Sequence, residues 1–177
     1  MILAAGEETV LLALGANLDD PLRRLRVAAR GLGEKLSELR ASAVYRTPPE
    51  GGVAQPDYLN AVVRGRSTLT PRELLDLAWA LEAGAGRVRP YPGAPRTLDV
   101  DVLFVGETIV ADADLEVPHP RWASRDFVVV PLLDVAPEWR DPRSGRTVSE
   151  VAHAAGWSSS RFPSVLEAGE LLSGTRS

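Results

Sequence analysis

Apolar and polar positions along this chain predict short strands separated by two helices. Short apolar runs of high β-propensity predict strands over residues 10–14, 41–45, 58–64 and 98–104. After the first strand, apolar residues recur every three or four positions from Pro21 to Leu39. This spacing predicts an amphipathic helix with Asp19 or Asp20 as its N-cap.

A capping box formed by Thr70 and Glu73, with Pro71 at the first helical position, predicts the start of the second helix. This helix is predicted to end at Gly84 and Gly86. The order of elements is therefore βαββαβ. This order is typical of a ferredoxin-like α+β fold, in which an antiparallel sheet carries both helices on one face. We expect the opposite face of the sheet to be left to loops and ligands.

Composition is that of an ordinary globular protein. The 177 residues are 45% hydrophobic and 25% charged, which suits one domain with a substantial core. We expect a single domain over residues 1–177, with a core at about 10–139 and an extension at 140–177. Within the extension, weak helical patterns occur at 148–155 and 166–172.

The net charge of the chain and its lack of targeting signals argue against several classes of protein. A net charge of −4 argues against a protein that binds nucleic acid chiefly through its phosphates. The chain has no cysteine, no recognisable signal peptide and no apolar run of about 20 residues that would span a membrane. We therefore expect a cytoplasmic protein without a nucleic-acid or membrane partner, and its oligomeric state stays open.

Two aspartates on the fourth predicted strand are the first candidates for chemistry. Side chains alternate along a strand, so Asp99 and Asp101 share one face. The other face is predicted to carry Leu98, Val100, Val102 and Phe104. Two close carboxylates repel each other, and burial raises the cost, so a compensating cation is expected. Mg²⁺ is suitable because it bridges carboxylates and substrate phosphates, although an isolated Asp-x-Asp is equally compatible with a solvated strand face.

A loop with arginines at both ends precedes this strand. Residues 90–95 contain three prolines and one glycine, which exclude a helix or a central strand. Arg87, Arg89 and Arg96 flank the loop. Guanidinium groups bind phosphate oxygens in bidentate fashion and stay charged at any working pH. Because the chain contains no glycine-rich phosphate-binding motif, we expect any nucleotide to be held by arginines and metal.

These segments and three earlier ones closely resemble the 6-hydroxymethyl-7,8-dihydropterin pyrophosphokinase family of folate biosynthesis. The matching motifs lie at residues 14–18 (LGANL), 45–49 (YRTPP), 55–61 (QPDYLNA), 87–89 (RVR), 95–101 (PRTLDVD) and 117–120 (VPHP), with Arg125 and Phe127. They occur in order from about Val10 to about Trp139. The resemblance implies an α+β fold and the transfer of diphosphate from ATP to the pterin, with release of AMP.

The resemblance also implies a role for each matching residue. Two Mg²⁺ ions would be bridged by Asp99 and Asp101, with ATP as co-substrate. The implied catalytic residues are Arg96, Asp99, Asp101, His119 and Arg125. The implied nucleotide-binding residues are Arg87, Arg89, Arg96, His119 and Arg125, with Glu82 as a weaker candidate. The implied pterin-binding residues are Tyr58, Asn60 and Phe127, together with backbone groups at Thr47 and Pro48.

The chemistry of Asn60 agrees with its implied role. An asparagine inside an apolar strand is disfavoured unless its amide is hydrogen-bonded, and the edge of a pterin ring offers suitable partners. The alternative is an asparagine whose amide is satisfied within the protein. Asn17, two residues after Gly15, is predicted to be a turn residue that connects the first strand to its helix. His119 lies between two prolines and is predicted in an extended loop.

Two departures from the family pattern leave alternatives open. Gly93 and Ala94 stand where the family has Trp-Gly, in a loop that is one residue shorter, and Tyr91 is the candidate to replace the tryptophan. Glu50 replaces an apolar residue on the pterin side. A non-catalytic pterin- or nucleotide-binding module is one alternative, which the intact motif residues disfavour. A two-metal phosphodiesterase or nuclease is another, but the sequence offers no further metal ligands at recognisable positions.

Overall fold

A computed structural model describes residues 6–52, 54–88 and 91–173 of the chain. Its strands are β1 (Glu8–Ala16), β2 (Ser37–Ala41), β3 (Val44–Thr47), β4 (Tyr58–Ser67), β5 (Asp99–Val105), β6 (Val110–Ala111), β7 (Glu116–Val117) and β8 (Ser164–Leu166). Its α-helices are α1 (Pro21–Gly33), α2 (Pro71–Gly84), α3 (Asp126–Val135) and α4 (Val148–Ala155). Single turns of 3₁₀ helix lie at Glu50–Gly52, Trp122–Ser124 and Glu170–Leu172.

The main sheet is antiparallel and has the strand order β5-β1-β4-β3-β8, with β2 also paired to β4. Strand β1 is therefore central, between β4 and β5. Its register places Gly15 opposite Asn60 on one side and opposite Asp99 on the other. The predicted α+β class is confirmed, and pairing alone brings the pterin-side and metal-side candidates to one end of the sheet.

Two local predictions were wrong in their boundaries. Helix α1 is capped by Asp20, as predicted, but it ends at Gly33. Leu36 and Leu39 match the apolar spacing of α1 although they lie outside it, Leu36 in the following turn and Leu39 in β2. They match because they pack on the same core as the helix. The predicted strand 41–45 is split between β2 and β3 at Ser42, whose Oγ accepts a hydrogen bond from the backbone N–H of Val62 (2.9 Å). Where the strand is interrupted, the Ser42 hydroxyl thus accepts a hydrogen bond that a backbone carbonyl oxygen would accept in a continuous strand.

Helices pack on both faces of the sheet. Helices α1 and α2 pack on one face, against residues such as Leu12 and Leu14. Helix α3 covers part of the opposite face around Leu11 and Val62, so the prediction that this face carries only loops and ligands was wrong. No helix was predicted there because the segment is apolar on all sides and contains Pro131, so it lacks the 3.6-residue periodicity of a surface helix.

A β-bulge alters the face on which Phe104 lies. Leu11 is paired with Phe104 but Leu12 is paired with Val102, so Leu103 is an extra residue in β5. Phe104 therefore joins the side of the sheet that carries Asp101, where its ring meets Trp122 edge to face at 5.2 Å between centroids. The prediction that Phe104 shares a face with Val100 was wrong, because side-chain alternation fails across a bulge.

The C-terminal segment packs on the sheet and on α3. Helix α4 spans the predicted residues and packs with α3. The helix predicted at 166–172 was wrong in part, since β8 pairs with β3 and a single 3₁₀ turn follows within the described residues. Leu171 of that turn is fully buried in the core beneath α1. Among the described helices, none has the length and apolarity needed to cross a bilayer.

Candidate functional site

A cavity of about 420 Å³ opens at the end of the sheet where β1, β4 and β5 meet. The loop after β3, the loop before β5 and the start of α3 complete its walls. The residues from the sequence analysis that line it are Thr47, Pro48, Tyr58, Asn60, Arg96, Asp99, Asp101, Arg125 and Phe127. Residues from distant parts of the chain therefore share one cavity, with amide and aromatic groups beside two carboxylates.

Asn60 and Thr47 form the amide side of the cavity. Asn60 is buried, and its Nδ2 donates a hydrogen bond to Oγ1 of Thr47 (2.7 Å). No hydrogen bond from a described residue reaches Oδ1 of Asn60, which lies close to Gly15. A Cβ on Gly15 would approach this oxygen to 2.8 Å, so glycine is the residue that leaves room for the carboxamide. Asn60 is thus oriented by the protein but keeps an acceptor for a ligand.

Aromatic side chains supply the flat walls of the cavity. Tyr58 lines one part, and burial raises the pKa of its hydroxyl, so it stays a neutral hydrogen-bond donor. Phe127 lines another part from the first turn of α3. The guanidinium of Arg125 lies over the Phe127 ring, with Cζ 5.5 Å from the centroid. This contact links the apolar side of the cavity to its charged side.

Asp99 lies in a cluster of charged residues. Arg87 contacts Asp99 at 2.5 Å and also contacts Glu82, while Arg96 binds the second oxygen of Asp99. Only 8% of the Arg87 side chain is exposed, so its charge needs this compensation. Two guanidinium groups thus compensate the charge of Asp99, and the role of the two carboxylates in binding Mg²⁺ stays a prediction. Glu82 is buried and accepts a hydrogen bond from the backbone of Val100 (2.9 Å); its nucleotide role stays a prediction.

Asp101 is less completely compensated. Among the described residues, its nearest basic groups are Arg125 at 3.7 Å and His119 at 3.8 Å. Burial, followed by the negative charges of Asp99 and Glu82, raises the pKa of Asp101 to about 7, against the opposing effect of the arginines. An added positive charge beside Asp101 would therefore be favourable.

His119 approaches the site from outside the cavity lining. Its Nδ1 accepts a hydrogen bond from the backbone N–H of Arg121 (3.1 Å), so in the neutral ring the proton is on Nε2, which faces Asp101. Burial and the charge of Arg121 lower the pKa of His119. A neutral His119 presents a single N–H donor to the carboxylate site at pH 7.

A second cavity of about 400 Å³ lies along the loop before β5. Arg87, Tyr91 and Arg96 line it, and Gly93 and Arg96 also line the first cavity. The loop therefore separates the two cavities, and Arg96 lines both of them. Arg89 was predicted on the same loop, but it lies outside the residues that the structure describes.

Three residues at this end of the sheet were not assigned a role in the site from the sequence. Asn17 lies in the connection between β1 and α1, as predicted, and its buried carboxamide also bridges Pro56 and Arg96. Gln55 and Arg121 line the cavity without having been assigned a role. Their spacing gave no signal, because loop residues are brought to a site by tertiary contacts.

Comparison with known proteins supplies an independent line of argument. The family model described as 7,8-dihydro-6-hydroxymethylpterin-pyrophosphokinase (HPPK) matches residues 11–137. The 2-amino-4-hydroxy-6-hydroxymethyldihydropteridine pyrophosphokinase of Synechocystis is 40% identical over 80% of this chain and 73% of its own length. The enzyme of the same name from Pseudomonas aeruginosa is 39% identical over 83% of this chain and 91% of its own length.

A solved structure shows a similar fold at low identity. The crystal structure of wild-type HPPK-DHPS from Plasmodium falciparum superposes with a TM-score of 0.69 at 12% identity. The match covers 85% of this chain and 45% of that protein. This chain therefore spans less than half of the length of that protein.

Proposed function

This chain belongs to the 7,8-dihydro-6-hydroxymethylpterin-pyrophosphokinase family, and we propose that the cavity at the ends of β1, β4 and β5 is its active site. The activity of the family is the transfer of diphosphate from ATP to 6-hydroxymethyl-7,8-dihydropterin in folate biosynthesis. The observation that supports this location is the convergence of separated motif residues on one cavity.

The amide and aromatic side of the cavity is the proposed pterin site. The free Oδ1 of Asn60 would accept a hydrogen bond from an N–H on the pterin edge, while Thr47 holds the other end of the carboxamide. Phe127 and Tyr58 would pack against the flat ring. This arrangement would direct the hydroxymethyl group of the pterin toward the carboxylates.

The carboxylates and arginines are the proposed nucleotide side. Asp99 and Asp101 fit Mg²⁺ because both residues line the cavity and the charge of Asp101 is only partly compensated by described residues. Within the described ranges, no group of three or more His, Cys, Asp or Glu side chains could hold a metal, so phosphate oxygens of ATP would complete the coordination of the proposed two ions. Bound Mg²⁺ would supply Lewis-acid stabilisation of the phosphate charge.

The basic residues would act on the charge that develops during transfer. Arg87 and Arg96 bind Asp99, and phosphate oxygens offer them acceptors of the same geometry. Arg125 and the Nε2–H of His119 lie next to Asp101 and would donate to the leaving α-phosphate or the bridging oxygens. Such preorganised donors are the main contribution that a protein makes to phosphoryl transfer.

We make two further proposals, which concern the fold and the extent of the domain. The strand order β5-β1-β4-β3, with α1 and α2 on one face, supports assignment of the βαββαβ core to the ferredoxin-like topology. The pairing of β8 with β3 and the packing of α4 on α3 support the inclusion of residues 140–177 in one domain with the core.

A product assay tests the proposed function and site. With ATP, Mg²⁺ and 6-hydroxymethyl-7,8-dihydropterin, we expect AMP and the pterin diphosphate. Asp99→Asn should lower the turnover by about a hundredfold or more, whereas Asp76→Asn, an exposed aspartate on α2, should leave it unchanged. Formation of ADP, or of AMP at a rate independent of the pterin, would contradict the reaction; near-normal turnover of Asp99→Asn would contradict the site.

A further inference from the structure

Helix α3 brings two residues of the proposed active site to the cavity from its start. Arg125 is the N-cap of the helix and Phe127 lies in its first turn, and both residues line the cavity. Arg125 also lies 3.7 Å from Asp101. The position of this first turn therefore decides where the aromatic wall and one of the basic groups meet the substrates.

The C-terminal segment 157–166 lies along one side of α3. Asp126, Val130 and Asp134 are spaced by four residues, so their side chains share that side of the helix. The residues of the segment that contact this side, or the buried cluster to which Val130 belongs, are Trp157, Ser159, Arg161 and Phe162. The segment then pairs with β3 as strand β8. The main sheet thus anchors the segment that contacts α3.

Two aromatic rings hold Arg161 in place. Its Cζ lies 5.8 Å from the centroid of the Trp157 ring and 5.4 Å from that of the Phe162 ring, and a guanidinium is attracted to ring faces at such distances. An exposed ion pair is usually weak because two flexible side chains must be ordered to form it. Since the rings already restrict Arg161, its ion pair with Asp126 costs less entropy than an isolated pair would.

The Asp126 carboxylate joins Arg161 to the backbone of the first turn. Its Oδ2 accepts a hydrogen bond from Nε of Arg161 (2.8 Å), and its Oδ1 accepts one from the backbone N–H of Phe127 (2.8 Å). The N–H groups of a first turn have no partner within the helix, and the side chain of the N-cap Arg125 supplies none. One carboxylate therefore ties the backbone of a cavity residue to the C-terminal segment.

We propose that Arg161 is a positioning residue for pterin binding, which acts through Asp126 to hold the Phe127 ring in place before the pterin arrives. The inference rests on the proposed function, because it takes Phe127 as a wall of the pterin site. Arg161 is not among the residues that line the cavity. A wall that is already ordered lowers the entropic cost of binding. Loss of Arg161 should therefore weaken pterin binding and leave the transfer from bound substrates nearly unchanged.

Substitution of Arg161 by glutamine removes the charge and the ion pair. The measurements are the Kd of the pterin by calorimetry, with Mg²⁺ and α,β-methylene-ATP present, and the kcat and KM for each substrate. In Arg161→Gln we expect the Kd and the KM of the pterin to rise by about threefold to tenfold. The kcat and the KM for ATP should stay within about twofold of the wild type. Arg161→Lys keeps a cationic donor and should restore most of the pterin affinity.

A double variant tests the route through Asp126. Asp126→Asn keeps an acceptor for the N–H of Phe127 but removes the charge that binds Arg161, so it should weaken pterin binding as much as Arg161→Gln does. The variant with both substitutions should bind the pterin no more weakly than the weaker single variant, because the two residues act as one unit. If Arg161→Gln does not fold, Asp126→Asn and Arg161→Lys provide the same comparison.

A matched control separates this role from general loss of stability. Arg66→Gln removes an exposed ion pair with Glu7 at the far end of β4, where the two side chains are 44% and 45% exposed. Its pterin Kd should equal that of the wild type. Each variant is compared only if its Tm lies within about 5 °C of the wild type. A merely structural role would lower the Tm and the fraction of active protein, but not the pterin affinity of the folded protein.

The outcomes distinguish this proposal from the proposed function. An unchanged pterin Kd in folded Arg161→Gln, a loss confined to kcat or to ATP, or additive losses in the double variant would overturn the role of Arg161 even if the wild type forms AMP and the pterin diphosphate. A pterin Kd that depends on Arg161 would uphold the role even if the wild type formed neither product, and only the reaction would then be refuted. A wild-type protein that binds no pterin would overturn both.

Discussion

Substitution of Asp101 by Asn should stabilise the metal-free protein at neutral and alkaline pH. The pKa of Asp101 is raised to about 7 by burial and by Asp99, compared with about 3.9 in an unfolded chain. Between these values the folded protein binds a proton that the unfolded chain does not. Stability therefore falls as pH rises through this window, and the whole penalty is present above pH 7. The Asn side chain carries no charge at any of these pH values and avoids the penalty.

The size of the effect follows from the pKa difference and from exposure. A difference of about three pH units corresponds to about 4 kcal/mol. About a third of the Asp101 side chain is exposed (34%), and screening by solvent reduces the benefit, so we expect about 2 kcal/mol at pH 8. At pH 4 the carboxyl is protonated in the folded state and about half protonated in the unfolded chain, so most of the difference in stability between the variant and the wild type should have disappeared.

Urea unfolding with EDTA at pH 4, 6 and 8 measures this difference directly. A matched variant, Asp76→Asn, lies on the exposed face of α2 and should show no rise in stability with pH relative to the wild type. The interpretation is refuted if Asp101→Asn is no more stable than the wild type at pH 8, or if its advantage is the same at pH 4 and pH 8. The variant should nevertheless lose turnover, since Asp101 is a proposed metal ligand.

Three further substitutions test other parts of the proposed site. Asn60→Ala should weaken pterin binding by about 1–3 kcal/mol and leave ATP binding intact; calorimetry showing the reverse would refute the pterin assignment. Gly15→Ala should also weaken pterin binding, because its Cβ would lie 2.8 Å from Oδ1 of Asn60; unchanged pterin affinity in calorimetry would show that the carboxamide position is unimportant. Tyr91, which is 59% exposed beside the second cavity, is the proposed replacement for the family tryptophan. Tyr91→Ala should raise the KM for ATP without changing pterin affinity, and unaltered kinetics would remove Tyr91 from the site.

Local pattern was sufficient for the elements whose signals are short-range. The capping box at Thr70 and Glu73 is present at the start of α2, because both of its hydrogen bonds lie within one turn of the chain. The strand with Asp99 and Asp101 was likewise predicted from alternation. The motif residues of the cavity were named from the family resemblance, and most of them line it. Their functional roles stay predictions.

The sequence by itself thus determined the alternation of strands and helices from β1 to β5, the capped starts of α1 and α2 and the face shared by the two aspartates, because these depend on neighbours in the chain. Only the tertiary structure decided that a bulge turns Phe104 to the other face, that α3 covers part of the open side of the sheet, and that Asn17 is hydrogen-bonded to Gln55 and to Arg96. Those features depend on strand register, on packing between distant segments and on the direction of single hydrogen bonds. Such contacts leave no periodic signal along the chain.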